Sequence, residues 1–104
     1  MMNNVQQVTQ LLGLAARARK VISGEELVVR EIRNGNAKLV LIASDAAHNS
    51  YKKITDKCTY YKVEYHVFGD RYDLGHATGK EYRVAIAITD SGFAKKMSSL
   101  LNEN

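Results

Sequence analysis

The chain has 104 residues, a formal net charge of +4, no proline or tryptophan and a single cysteine; that length suits one compact domain with its own core, and one cysteine excludes an internal disulfide framework. No apolar run approaches the roughly 20 residues that span a bilayer, and no charged-then-apolar leader opens the chain, so the expectation is a single soluble, cytoplasmic domain over residues 1–104 with no membrane partner. The charge is uneven: residues 1–63 carry ten Lys/Arg against five Asp/Glu, and residues 64–104 carry five against six, a local basic excess that raises the prospect of a polyanionic partner.

Val5, Val8, Leu11, Leu12 and Ala15 recur at helical spacing and predict an amphipathic first helix to about Arg17, with Arg17, Arg19 and Lys20 at its exit. Val21 and Ile22 form a short strand, and a second helix follows from Gly24 to about Asn34, with Leu27, Val28 and Ile32 as its buried stripe and Gly35 as a left-handed stop. The unbroken apolar run from Leu39 to Ala43 suits a strand covered on both faces. Ala47, Tyr51, Ile54, Cys58 and Tyr61 give the third helix one apolar edge, while Lys52, Lys53, Lys57 and Lys62 read as its solvated face. "EYHVF" is a third strand, "DLGHATGKE" a short glycine-rich helix with its exit, and "VAIAI" a second fully buried strand. Asp90 or Ser91 then caps a last helix through Phe93, Met97, Leu100 and Leu101. Strands alternating with helices predict an α/β sandwich around a four-stranded sheet.

Nothing in the pattern supports catalysis. His48, His66 and His76 are too far apart in sequence for a metal motif, Cys58 falls on a buried edge as a packed thiol, and no Gly-x-Ser-x-Gly elbow, phosphate loop or Gly-x-Gly-x-x-Gly stretch occurs. The chain is therefore expected to be non-enzymatic, with no cofactor, metal or small-molecule substrate.

Two stretches stand out as candidate binding segments. In "VISGEELVVRE", Ser23 as N-cap and Glu26 at the third helical position make a capping box, and Glu25 and Glu26 suit the positive end of the helix dipole. Gly24 is left over by that explanation, because a glycine at a helix start costs backbone entropy and commonly marks a close approach. Alternatively, carboxylates here accept hydrogen bonds from a guanine edge while Lys20 and Arg30 meet phosphates. The second stretch, "GKEYRV", combines Gly79 for a tight turn, Lys80 and Arg83 as cations and Tyr82 as a stacking ring, against the plainer reading of a solvated loop whose tyrosine covers the sheet edge.

"SGEELVVREIRNGNAKLVLIASDA" followed by "DLGHATGKEYRVAIAIT" resembles the kink-turn-binding ribosomal protein superfamily of the L-seven-Ae and L-thirty-e type, most closely its small bacterial YlxQ-like branch, over about Leu11 to Leu101. The most specific parts are "RNGNAKLVLIASD" and the Leu-Gly-x-Ala-x-Gly run from Leu74 to Gly79. The resemblance implies a three-layer α/β/α sandwich around a small mixed four-stranded sheet. It also implies binding of structured RNA at a kink-turn, ribosome-associated or regulatory, by a monomer.

In that family the site is the start of helix two plus the loop before the last strand, which places Gly24 at the helix-opening glycine and Arg30 at the basic position one turn on. The Asn-Glu pair with which archaeal members read sheared G·A guanines falls on Glu26 and Leu27, where Leu27 offers no polar group. The Ile-Glu-Val loop against the flipped-out nucleotide falls on Lys80, Glu81 and Tyr82, keeping only the central acid. The expected interface is thus Lys20, Ser23, Gly24, Glu25, Glu26, Leu27, Arg30, Gly79, Lys80, Glu81, Tyr82 and Arg83. The alternatives are a protein-interaction module on the same fold with negligible RNA affinity, or an adaptor similar to the RNA-recognition domain of ribose methyltransferases.

Overall fold

The computed structural model describes residues 2–103. The elements run α1 Asn4–Arg17, β1 Val21–Ser23, α2 Glu25–Arg33, β2 Leu39–Ile42, α3 His48–Tyr61, β3 Tyr65–Val67, α4 Arg71–Ala77, β4 Ala85–Ile88 and α5 Ser91–Leu101. The two continuously apolar runs, β2 and β4, take the two central positions of a mixed sheet ordered β1-β4-β2-β3. β4 pairs antiparallel with β1 and β2, and β2 pairs parallel with β3.

Side-chain alternation along the central strands divides the core into two layers. Leu39, Leu41, Ile86 and Ile88 face α1, α4 and α5 through Val8, Leu12, Leu74 and Met97. Val40, Ile42, Ala85 and Ala87 face α2 and α3 through Val28, Val29, Ile32, Ile54 and Cys58. Helices on both faces of one four-stranded sheet make the expected three-layer sandwich. Among the described residues, no helix is long and apolar enough to cross a membrane.

Three local expectations are corrected. The stripe of α2 is Val28, Val29 and Ile32, whereas Leu27 is 43% exposed. On α3 the buried residues are Ile54, Thr55 and Cys58, with Tyr51 and Tyr61 left on the rim; Thr55 is accommodated because its hydroxyl donates to the Tyr51 carbonyl at 2.9 Å. α4 starts earlier than its apolar residues suggest, because Asp70 caps it: Asp70 accepts from the Tyr72 and Asp73 amides while Asp73 accepts from the Asp70 amide. The expected Asp90 cap of α5 is present, with its carboxylate accepting from the Phe93 amide. The Cys58 thiol is fully buried, and burial pushes its pKa up to about 12, as suits a packed side chain and not a nucleophile.

Candidate nucleic-acid interface

The turn between β1 and α2 is built on Gly24. Its amide donates to the Ala85 carbonyl at 3.0 Å, which keeps the chain paired to β4 up to the last residue before the helix, and its own carbonyl accepts from the Val28 amide at 2.9 Å. Passing from strand to helix in one residue requires φ 101° and ψ 142°, a region that only glycine occupies at low cost. A Cβ built there would meet nothing within 4 Å, so the glycine serves the backbone angle and leaves open space in front of the turn.

Gly24 is the N-cap and no side chain caps α2. The expected capping box of Ser23 and Glu26 is therefore absent. With the register one residue later, Leu27 occupies the third helical position, and Ser23 stays extended opposite Ile86 in the β1–β4 ladder. Ser23 Oγ instead accepts from Arg83 Nε at 2.9 Å. Glu25 pairs with Lys53 of α3 at 3.5 Å, which gives that lysine a partner where the sequence suggested a solvated face. Glu26 and Leu27 stand exposed at the tip, and Arg30 lies on the outer face with only a 3.9 Å contact to Glu31.

The loop from α4 to β4 is fastened at several points. Gly79 at φ 77° and the bonds Gly79 N to His76 O (3.2 Å) and Lys80 N to Gly75 O (2.8 Å) form a Schellman end to α4. The Arg83 amide donates to the Arg71 carbonyl at 2.9 Å, and the Arg83 guanidinium also reaches the Tyr82 carbonyl at 2.6 Å. Gly75 holds the loop close, since a Cβ on it would stand 2.4 Å from Tyr82 Cα. Arg71, whose carbonyl takes the Arg83 amide, is itself anchored by its Nε on Asp45 Oδ2 at 3.0 Å. Lys80 and Glu81 are exposed, and Tyr82 is 49% exposed with its ring edge-on to Tyr72 at 6.4 Å between centroids.

The turn and the loop lie on opposite sides of a shallow groove of about 350 Å³ lined by Ser23, Gly24, Glu25, Tyr82 and Arg83, with Ser50 of α3 at its margin. Lys80 opens onto an adjoining groove that also contacts Ser23. Glu26, Leu27 and Arg30 project from α2 beyond the groove, and Lys20 precedes β1 on the exposed exit of α1. Of the cations expected to meet phosphate, Arg83 is committed to the scaffold by its bonds to Ser23 and Tyr82. Ser50, Lys53, Tyr72 and Gly75 were not anticipated as parts of the site. Only Gly75 carried a local signal, as the second residue of the Leu-Gly-x-Ala-x-Gly run. Among the described residues there is no cluster of three His, Cys, Asp or Glu side chains able to hold a metal ion.

The chain is 61% identical over 92 residues to the RNA-binding protein YlxQ of Bacillus subtilis, an alignment spanning 88% of this chain and 92% of that one. It is 43% identical over 98 residues to the RNA-binding protein YlxQ of Enterococcus faecium, at 94% coverage of both. A solved structure of a Bacillus halodurans protein of unknown function superposes with a TM-score of 0.91 at 45% identity, covering 93% of this chain and 98% of that one. The profile of the ribosomal protein L7Ae/L30e/S12e/Gadd45 family matches residues 6–98, and with the sandwich and the two-part groove already described, the chain belongs to that family.

Proposed function

We propose that this chain is a non-enzymatic RNA-binding protein that recognises a kink-turn, or a similarly bent internal loop, as a monomer. The observation that carries this reading is the joining of the Gly24 turn and the Tyr82 loop across one open groove by the Ser23–Arg83 hydrogen bond. Two segments sixty residues apart in sequence are held in fixed relation, as a reader of RNA shape requires. That both YlxQ relatives are RNA-binding proteins supports RNA as the ligand.

In this reading Gly24 lets the RNA approach the backbone, Glu25 or Glu26 accepts from a guanine edge, and Tyr82 stacks on or covers an unpaired base. Lys20, Arg30 and Lys80 meet phosphates, with Arg83 chiefly holding the loop. Glu26 is uncapped, exposed and without an ion-pair partner among the described residues, which leaves its carboxylate free to accept. Leu27 supplies an exposed apolar contact in place of a polar reader.

The test is a titration of a labelled kink-turn RNA against the same RNA with its G·A pairs replaced by Watson–Crick pairs, at several salt concentrations. Preference for the G·A form is expected, and Arg30→Ala should flatten the salt dependence by about one phosphate contact. Equal affinity for the two RNAs would overturn kink-turn recognition. Binding to neither would leave the protein-interaction reading, which has lost one support because Glu26 does not form the cap that explained it without a ligand.

A further inference from the structure

We propose that Arg17 and Arg19 join Lys20 and Lys80, around the exit of α1 and the outer edge of β1, in a phosphate-binding face that grips the RNA stem running on from the bend. This rests on the RNA-binding reading above and extends its surface to the exit of α1, on the far side of β1 from the Gly24 groove.

The geometry comes from two adjoining shallow depressions, one beside that edge strand and one between α1 and the end of α4. One, of about 290 Å³, has Arg19 and Lys80 among its lining with Val21, Ile22 and Ser23 between. The other, of about 270 Å³, is bordered by Arg17 and Gly79. They share Ala16 and Thr78, small side chains that leave the floor open, and the first shares Ser23 with the candidate RNA groove. A polyanion leaving that groove over Ser23 would run directly between these cations.

The charge on this face is uncompensated. Arg17, Arg19, Lys20 and Lys80 are all exposed, and none is in an ion pair among the described residues, whereas Lys52, Lys53 and Arg71 each hold a carboxylate. Exposed cations at a helix C-terminus already suit the negative end of its dipole, which accounts for one of them but not for four around one edge. Phosphate is the ligand that uses such a group without needing a base sequence.

Arg19 adds a backbone observation. It closes α1 in the left-handed region at φ 61°, with its amide on the Ala16 carbonyl at 3.0 Å and the Lys20 amide on the Ala15 carbonyl at 2.8 Å. That is the helix-ending position filled by Gly35 after α2 and Gly79 after α4. Lys62 has φ 59° at the end of α3, so a left-handed cation alone is not distinctive. Arg19 differs in lining a groove with a second unpaired cation, Lys80, and with Arg17 on the adjoining depression, where a glycine would relieve the backbone and remove the charge.

The experiment uses the full chain and labelled kink-turn RNAs with short stems or with stems extended by about one helical turn, titrated across salt. The wild type should bind the extended RNA more tightly, with a salt slope steeper by about two. The pair Arg17→Ala and Arg19→Gly should lose that increment while keeping affinity for the short RNA within about twofold. Arg19→Gly alone should leave the thermal midpoint unchanged or raise it, since glycine takes φ 61° without strain, so weaker binding cannot be put down to unfolding. The proposal is overturned if the paired variant keeps the wild-type slope on the extended RNA, or loses short and extended RNA equally. If Watson–Crick replacement of the G·A pairs changes nothing while the extension increment persists, the kink-turn reading fails and the basic face stands. No binding to any of these RNAs overturns both.

Discussion

The Arg83 guanidinium donates from Nε to Ser23 Oγ at 2.9 Å, tying the end of β1 to the residue that leads the α4–β4 loop into β4. The bond is part-buried, and it replaces the helix cap that Ser23 would otherwise make. Ser23→Ala and Arg83→Ala should each lower stability by about 0.5–1.5 kcal/mol. Arg83→Lys should fail to rescue, because one ammonium cannot reproduce a guanidinium that spans Ser23 and the Tyr82 carbonyl. Urea unfolding of the two singles and the double gives the coupling; strict additivity would mean that the bond joins nothing.

Gly75 and Tyr82 meet backbone to backbone. A methyl group at position 75 would sit 2.4 Å from Tyr82 Cα and 2.7 Å from its nitrogen, neither of which can swing aside as a side chain would. Gly75→Ala is expected to push the loop off α4 and cost about 1–3 kcal/mol. RNA affinity should fall with it, because Tyr82 and the Ser23–Arg83 bond move together. Calorimetry with an RNA titration on the same sample tests this, and a variant as stable as the wild type would mean the loop has room to shift.

Glu26 separates binding from stability. Its carboxylate caps nothing and pairs with no cation among the described residues, so Glu26→Ala should cost no more than its place at the positive end of the helix, about 0.3–1 kcal/mol. If it reads a guanine edge, the same change should weaken RNA binding by about 1–3 kcal/mol. A loss of stability with unchanged affinity would return the residue to a structural role.

Acid should loosen two fastenings. Burial pushes Glu64 upward, but hydrogen bonds from His66, Ser98 and Asn102 and the charge of His66 outweigh it and hold the carboxyl below its ordinary 4.5. Likewise Asp45, despite desolvation, is held below its ordinary 3.8 by the Arg71 amide and guanidinium. A depressed carboxyl adds stability above its unfolded-state value and loses it as pH falls through the folded-state value. Thermal midpoints should therefore drop as pH falls below about 5, and drop less in Glu64→Gln, which has no proton to take up. Because Glu64, just before β3, is joined to Ser98 of α5 and to Asn102 at its C-cap, a parallel pH profile in the variant would remove this network from acid unfolding.

The layered fold was legible in the sequence because its signals are local. Leu39–Ala43 and Val84–Ile88 are unbroken apolar runs, and burial on both faces of a central strand is the arrangement that removes both sets of side chains from water. Gly35 marked the end of α2 for an equally local reason, a left-handed angle that its φ of 78° confirms. Both candidate segments were also visible from their glycines and charges, Gly24 with its glutamates and Gly79 with its cations and tyrosine.

What joins those segments was not legible, because it depends on contacts between residues distant in the chain. The cap falls on Gly24, which starts α2 one residue later and releases Ser23 from capping, and docking turns the Val28, Val29 and Ile32 face to the sheet with Leu27 left outside. The hydroxyl so released finds Arg83 only because β1 and β4 pair in the register Ser23 opposite Ile86. Gly75 stood in the sequence within a distinctive Leu-Gly-x-Ala-x-Gly run, but its reason, the Tyr82 backbone packed against it, exists only once the loop is laid on α4. Periodicity and turn chemistry set each element separately, whereas the geometry of the groove follows from strand register and backbone contact, which exist only once the elements have docked.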